Sequence, residues 1–336
     1  MRALAAALAL SVVVAGAGTA PAGRIDDVPA AKGNLAGQNL AGLELAGADL
    51  RGANLAGATL DGAVLTGATL VGANLVGASL RGADLREAYV RDVRARGANF
   101  SRARLGGADL TRADLRTANL EAADLTRAVL ESAQLSGATL NKAFLPGARF
   151  ARARLIGADL SGAMLVGADL SQADLTRATL AAAELGAARL AEYAPGAARL
   201  TGATLVKANF TGANLRNVDL REAILTGATF SAADLGGADL TWARASGAKF
   251  IGASLAWAIA YGADFSAADF TLATLAHAQL VGAVLAGADL RRARLPATNF
   301  EQADLAGAEF GDTDVSHALF NAARNLPAGV RRARTP

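Results

Sequence analysis

The chain of 336 residues carries 33 basic and 30 acidic side chains, a net charge of +3, and no cysteine. Near-neutrality leaves little counterion release to drive nucleic-acid binding, and the missing thiols exclude disulfides, thiol chemistry and Cys-anchored lipid. A mean hydropathy of +0.28 would suit a membrane protein, yet within the repeats described below the apolar residues are isolated Ala and Leu, with no uninterrupted run of about 20.

In chain order, Arg2 precedes an apolar run from Ala3 to Gly18, and Ala20-Pro21-Ala22 offers an Ala-x-Ala cleavage site before Gly23. Residues 1–22 therefore read as a secretory signal peptide. The expected location is extracytoplasmic, periplasmic or secreted, with an uncleaved anchor or a cytoplasmic chain as the alternatives. No integral membrane span is expected after cleavage. Residues 23–34 are irregular and contain Pro29, as a linker and N-terminal cap would.

From Leu35 to Phe320 an apolar residue falls on every fifth position, in 58 successive units, and Leu or Phe fills that slot in 52 of them. Ala usually stands two places earlier, with Asp, Asn or Thr between, as in Gly47-Ala48-Asp49-Leu50-Arg51-Gly52-Ala53-Asn54-Leu55. Positions five apart on a helix lie about 140° round from one another and make no stripe. On a flat strand an odd period throws successive Leu to opposite faces. A chain that turns one corner per unit keeps every Leu and Ala inward, with Gly favoured at the tight corner. Fixed-period self-similarity of this kind signals a solenoid.

The unit Ala-(Asp/Asn)-Leu-x-x resembles the pentapeptide-repeat family over about 85% of the chain. The resemblance implies an all-β fold, a right-handed quadrilateral parallel β-helix with four repeats and twenty residues per coil. It implies about 14 coils, stacked at about 4.8 Å into a rod roughly 70 Å long. Phe210, Phe230, Phe250 and Phe270 are spaced by twenty and would lie above one another on one inner face.

Three stretches depart from the pattern. Over residues 86–97 the inward slots shrink to Val90 and Ala95, with Val93 in an Ala slot, which predicts a thinned core without an inserted loop. Arg81, Arg86, Arg91 and Arg96 follow successive central residues and, with Arg94, Arg102 and Arg104, make a basic belt. A polyanion site is one reading of that belt; because it circles the coil beside Asp84, Glu87, Asp92 and Asp109, solvated surface is the favoured one. Around Tyr193 and Pro195 a large ring and a residue without an N–H enter inward slots, predicting a local bulge or kink. Finally, Trp242, Ile251, Trp257, Ile259, Tyr261 and His277 make a candidate interaction patch. Trp257 and His277 are spaced to stack on adjacent coils. Exposed aromatics close together often mark an interface or a ligand platform, and drift on an unconstrained surface is the competing reading. Residues 321–336 break the period and form a C-terminal cap and basic tail.

The residues before each Leu recur in nearly every coil, so their carboxylates serve turns by bonding nearby backbone and single out no catalytic pair. His277 and His317 would stand two coils apart, too far to share a metal, and no Walker A phosphate loop is present. No catalytic residue, metal or cofactor is expected. The sequence reads as a non-enzymatic, exported scaffold that presents a rigid surface to an unknown protein partner, with no nucleic acid expected. The family resemblance supplies the alternative, a DNA-mimicking protein that binds DNA gyrase and protects it from quinolones. Against it stand a pI of about 9.6, no acidic stripe, no inserted loops and no obvious dimerising helix.

Overall fold

The computed structural model describes residues 34–185, 198–328 and 330. The signal-peptide and linker readings, the Tyr193–Pro195 departure itself and the basic end of the tail lie outside these residues. The chain forms two compact units, Met1–Arg154 and Leu155–Pro336.

Both units are built from one hydrogen-bonding rule. In the first, Asn34, Asn39, Glu44 and Asp49 each form a parallel bridge with the residue twenty further on, and the four ladders continue to Gln134↔Arg154. In the second the same spacing runs, for example, through Asp234↔Ser254, Asp239↔Ile259, Arg244↔Asp264 and Lys249↔Asp269. Twenty residues per coil and four sides per coil follow directly.

In units with Asp or Asn before the Leu the five N–H groups are all accounted for, as buried backbone requires. Leu55 N–H donates to the Asn74 carbonyl (2.7 Å), Gly57 N–H to Val76 (2.9 Å), Asn74 N–H to Ala53 (2.9 Å), and Ala58 N–H closes the corner onto Leu55 (3.0 Å). The fifth, just after the Leu, is taken by the side chain just before it: Arg51 N–H donates to Asp49 Oδ1 (3.1 Å), Thr111 to Asp109 (3.0 Å) and Ser161 to Asp159 (2.9 Å). The recurrent Asp and Asn are therefore corner caps, as their recurrence implied.

The second corner residue occupies the left-handed region at every described corner from Gly37 to Gly307. Glycine is not required there: Thr117 (φ 56), Trp242 (φ 60) and Trp257 (φ 63) adopt it too, at a cost of about 1–2 kcal/mol each that coil stacking must offset. Inward, the Leu, Phe and Ala columns are sealed; Leu165, Ala163 and Phe250 are all 0% exposed. Complete burial of one Leu contributes about 1.5–3 kcal/mol. Phe210, Phe230, Phe250 and Phe270 stack at successive centroid distances of 4.9 Å with planes within 7°, the ladder their spacing predicts. The thinned coil also behaves as expected: Val90, Val93 and Ala95 are buried, and Val90 and Ala95 keep their inter-coil bonds at 2.8 Å.

One expectation fails inside the second unit. The sequence keeps its five-residue beat across residues 186–197, but bridge spacing there rises to thirty, in Asp169↔Arg199, Asp174↔Thr204, Thr179↔Asn209 and Glu184↔Asn214. The corner that Ala188 would close onto Leu185 is closed instead by Ala198, at 2.9 Å. Between the described residues on either side of this stretch the ladders thus advance by ten residues more than one coil. Tyr193 is too large for an Ala slot and Pro195 has no N–H for the ladder. The sequence Gly-Ala-Ala-Arg-Leu occurs at both 186–190 and 196–200, so the second copy fills the place the first would have taken.

The repeats also end slightly late. The last bridge, Asp304↔Arg324, lies beyond Phe320. Before it the ladder loosens: Gly311 takes the positive φ (51°) that its successor normally holds, and Ala297 N–H reaches His317 at 3.0 Å, one residue further along than usual. A cleft of about 280 Å³ opens there, lined by Arg294, Leu295, Asp314 and His317 among others.

Candidate functional site

Ladders define faces, so each candidate residue can be placed by its corner. In the second unit the ladder through Asp239, Ile259 and Gln279 is bounded by the corner of Trp257 on one side and the corner of Tyr261 on the other. Trp242 shares the Tyr261 corner one coil earlier and donates its N–H to the Tyr261 carbonyl at 2.9 Å. His277 lies one coil beyond Trp257. Five of the six predicted patch residues therefore share one face. Ile251 does not: it sits at the corner between the Lys249 and Ser254 ladders, one corner before Trp257, and belongs to a different edge. Adding five instead of twenty to a position moves round the coil, and sequence proximity hid that.

The rings are held by packing. Trp257 and His277 stack with centroids 4.0 Å apart and planes at 9°. Trp242 leans over Gly262, where a Cβ would lie within 2.7 Å of Cε3, Cζ3 and Cη2. Three adjacent ring atoms at nearly equal distance identify a ring face turned onto the glycine, so this position needs Gly for space, while its φ of 61° is one that other residues at the same corner also adopt. Trp242 remains 65% exposed, Trp257 63% and Tyr261 43%. Large aromatics at that exposure on a surface of fixed backbone are unusual.

Charged side chains of both signs border the face. Arg221 grips Asp219 with two bonds (2.9 and 2.8 Å) and approaches Asp239 at 3.8 Å. That guanidinium holds the Asp219 carboxyl below the usual carboxylate range, and the carboxylates raise Arg221 in turn, Asp219 first and then Asp239 and Glu222. Arg221 thus bridges Asp219 and Asp239, while Arg199 shares the Asp219 ladder and Arg244 stands on the ladder beyond the Trp242 corner. Sequence reasoning missed Gly262, Glu222 and Asp239, although adding or subtracting twenty from Trp242 and Ile259 points to all three.

The basic belt of the first unit is spread around the coil. Arg81, Arg86, Arg91 and Arg96 occupy four successive corners, and Arg94 a ladder between two of them. Arg86 pairs with Asp84 (2.6 Å) and Arg91 with Asp109 (3.1 Å), while Arg104 also reaches Asp84 and Arg112 holds Asp92. Among the described residues Arg81, Arg94 and Arg96 form no ion pair within 4 Å. Arg86 borders a shallow hollow of about 590 Å³ that exists because Gly67, Gly106 and Gly107 carry no side chain. Among the described residues no group of three or more His, Asp or Glu is placed to hold a metal ion, and no helix is long and apolar enough to cross a membrane.

Comparison with known proteins bears on the repeat. The family profile for pentapeptide repeats matches in adjoining and overlapping segments, residues 34–67, 60–94, 96–131, 133–172, 153–191, 197–231, 223–259, 248–285 and 283–321. The break between 191 and 197 falls within the stretch across which the bridges are thirty residues apart. The chain is 36% identical to HetL, a pentapeptide repeat protein involved in heterocyst differentiation regulation from Nostoc sp. strain PCC 7120, over 61% of this chain and 86% of that one, with a TM-score of 0.38. It is 18% identical to QnrB1, a plasmid-mediated fluoroquinolone resistance protein, over 56% and 93%, with a TM-score of 0.31. For a pentapeptide repeat protein of the Arabidopsis thaliana thylakoid lumen the values are 23% identity, 53% and 88% coverage, and a TM-score of 0.19. None of the curated proteins compared with the chain matches it.

Proposed function

The chain belongs to the pentapeptide-repeat family, and from that membership we propose that it is a non-enzymatic, exported scaffold that docks a protein partner on the Trp242–Trp257–Tyr261 face. Known structures of the family are right-handed quadrilateral β-helices, and its members are typically structural or interaction proteins. The observation that carries the reading is the pinning of exposed aromatics to one face, Trp242 over Gly262 and Trp257 against His277. Trp and Tyr dominate binding energy where they are rigid and central to an interface. Rigid side chains also lose little entropy on docking.

The test is affinity capture by the wild type and by Trp257→Ala/Tyr261→Ala. Both proteins should show the same far-UV circular dichroism, and the variant should retain much less partner. Equal recovery of every captured protein would remove the aromatic face from the account. Export rests on residues 1–22 and is tested separately: an intact mass starting near Gly23 outside the cytosol supports it, and a full-length cytosolic species refutes it.

The gyrase-directed alternative gains one point, since the thirty-residue bridge spacing from Asp169↔Arg199 to Glu184↔Asn214 cancels the expectation of an uninterrupted coil. Charge still weighs against it. A mimic of DNA needs continuous negative potential, and the chain carries +3 with a pI of about 9.6.

A further inference from the structure

In the first unit the ladder Asn74, Arg94, Asp114, Gln134 runs between the corners of Arg91 and Arg112 on one side and of Val76, Arg96 and Arg116 on the other. The ladder of Tyr89, Asp109 and Val129 flanks it beyond the first corner line, and the uncharged ladder of Ser79, Asn99, Asn119 and Thr139 beyond the second. From residue 69 to residue 139 these ladders and the corners between them hold four carboxylates, each with its own arginine. Arg112 grips Asp92 with two bonds of 2.7 Å, and Arg116 grips Asp114 with bonds of 2.7 and 2.6 Å. Arg91 holds Asp109 at 3.1 Å, and Arg149 holds Glu131. Arg94 and Arg96 are left over. Both are exposed, and among the described residues neither forms an ion pair within 4 Å. Arg96 acts on Asp114 from longer range, after the Arg116 bond that chiefly lowers that carboxyl.

The rest of these coils does not cancel the two charges. Beyond the uncharged ladder Arg81 and Arg102 stand against Asp61 and Glu121; beyond Tyr89, Arg86 and Arg127 stand against Asp84 and Glu87; on the far ladder Arg104 stands against Asp124. The coil before Arg94 and Arg96 presents Val71, Asn74 and Val76, without charge, and Val76 is 43% exposed.

We infer that this face is a second interaction surface, and that it takes an acidic protein segment whose carboxylates are held by Arg94 and Arg96. The two arginines are two residues apart, about 6–7 Å, which is also the spacing of alternate side chains along an extended peptide. A guanidinium fork matches a carboxylate, and Arg112 and Arg116 already hold theirs in that manner one coil away. Val76, one coil before Arg96 on the same corner line, offers apolar contact to the residue beside the acid. Two unmatched cations are too few for a nucleic acid or an anionic membrane, whose closely spaced phosphates are held by many. The surface belongs to the first unit and does not depend on the aromatic face of the second.

A rhodamine-labelled nona-glutamate peptide is titrated with the full chain and followed by anisotropy. The wild type should bind it saturably, more weakly at high salt. Arg94→Gln/Arg96→Gln should keep the wild-type far-UV circular dichroism and weaken binding by about 10-fold or more. Arg81→Gln/Arg102→Gln removes the same charge from the next corner line and should change binding less than 2-fold, as should Trp257→Ala/Tyr261→Ala. No saturable binding by the wild type, or wild-type affinity in Arg94→Gln/Arg96→Gln, overturns the inference. An equal loss in Arg81→Gln/Arg102→Gln overturns it too, because attraction would then follow net charge alone. Tighter binding of inorganic polyphosphate or of phosphatidylglycerol vesicles than of nona-glutamate, lost in Arg94→Gln/Arg96→Gln, would replace the acidic segment with a phosphate ligand. If the aromatic variant alone loses nona-glutamate, the acidic segment belongs to the other face and this inference falls while the docking reading stands.

Discussion

Deleting residues 186–195 is the sharpest perturbation of this fold. Bridges on either side of that stretch are thirty residues apart where all other described ladders keep twenty, and Ala198 closes the corner onto Leu185. Joining Leu185 directly to Gly196 should therefore leave every coil intact. Closing a ten-residue excursion costs about (3/2)RT ln 10, or about 2 kcal/mol, so the deletion should raise stability by about that amount. Were Leu190 and its neighbours coil members, the same deletion would remove two inward units, and burial alone would cost about 3 kcal/mol or more. Urea unfolding followed by far-UV circular dichroism, with a shared m-value, distinguishes gain from loss by sign. A lower midpoint for the deletion would refute the pairing of Asp169 with Arg199.

Three further outcomes follow from the packing. Leu165→Asp places a carboxylate at a 0% exposed site and should cost several kcal/mol, seen as a large fall in the urea midpoint; a wild-type midpoint would contradict the inward column. Gly262→Ala should displace Trp242 and alter tryptophan emission, whereas Gly252→Ala, with φ +64 but nothing within 4 Å of its Cβ, should cost about 1 kcal/mol through backbone strain and leave emission unchanged. Asp49, Asp84, Asp114, Asp219 and Asp289 are all lowered below the ordinary carboxylate range, first by the side-chain bond from the arginine two residues on. Their folded values lie under the unfolded one, so the stability they add is present above about pH 4 and disappears as pH falls through the folded values. Comparing urea midpoints at pH 6 and pH 3, Arg221→Gln should shrink the difference.

The repeat made most of this fold legible. Period five excludes helix and flat strand, Ala and Leu at fixed offsets name the inward columns, and twenty-residue spacing of Phe210, Phe230 and Phe250 anticipates their stack. The detour was harder to see because ten residues are a whole number of units. The beat survives while the coil slips, and only the duplicated Gly-Ala-Ala-Arg-Leu beside Pro195 betrays it. Ile251 was misplaced for a related reason: residues near in sequence turn onto different corners. Trp242 and Gly262 show the reverse, since their contact is invisible locally and plain once positions are compared at twenty. Glycine at corners was a partial guide only, because the left-handed conformation is imposed by stacking and Thr117 or Trp257 accepts it.

Hydroxyl-radical footprinting of the side chains with and without the extracytoplasmic fraction tests the central proposal most directly. Trp242, Trp257 and Tyr261 should become protected together, while Tyr89 and Phe144, exposed at 55% and 43% in the other unit, should react as before. Unchanged modification of the three face residues, or protection spread equally over Tyr89 and Phe144, would contradict a docking surface on this face.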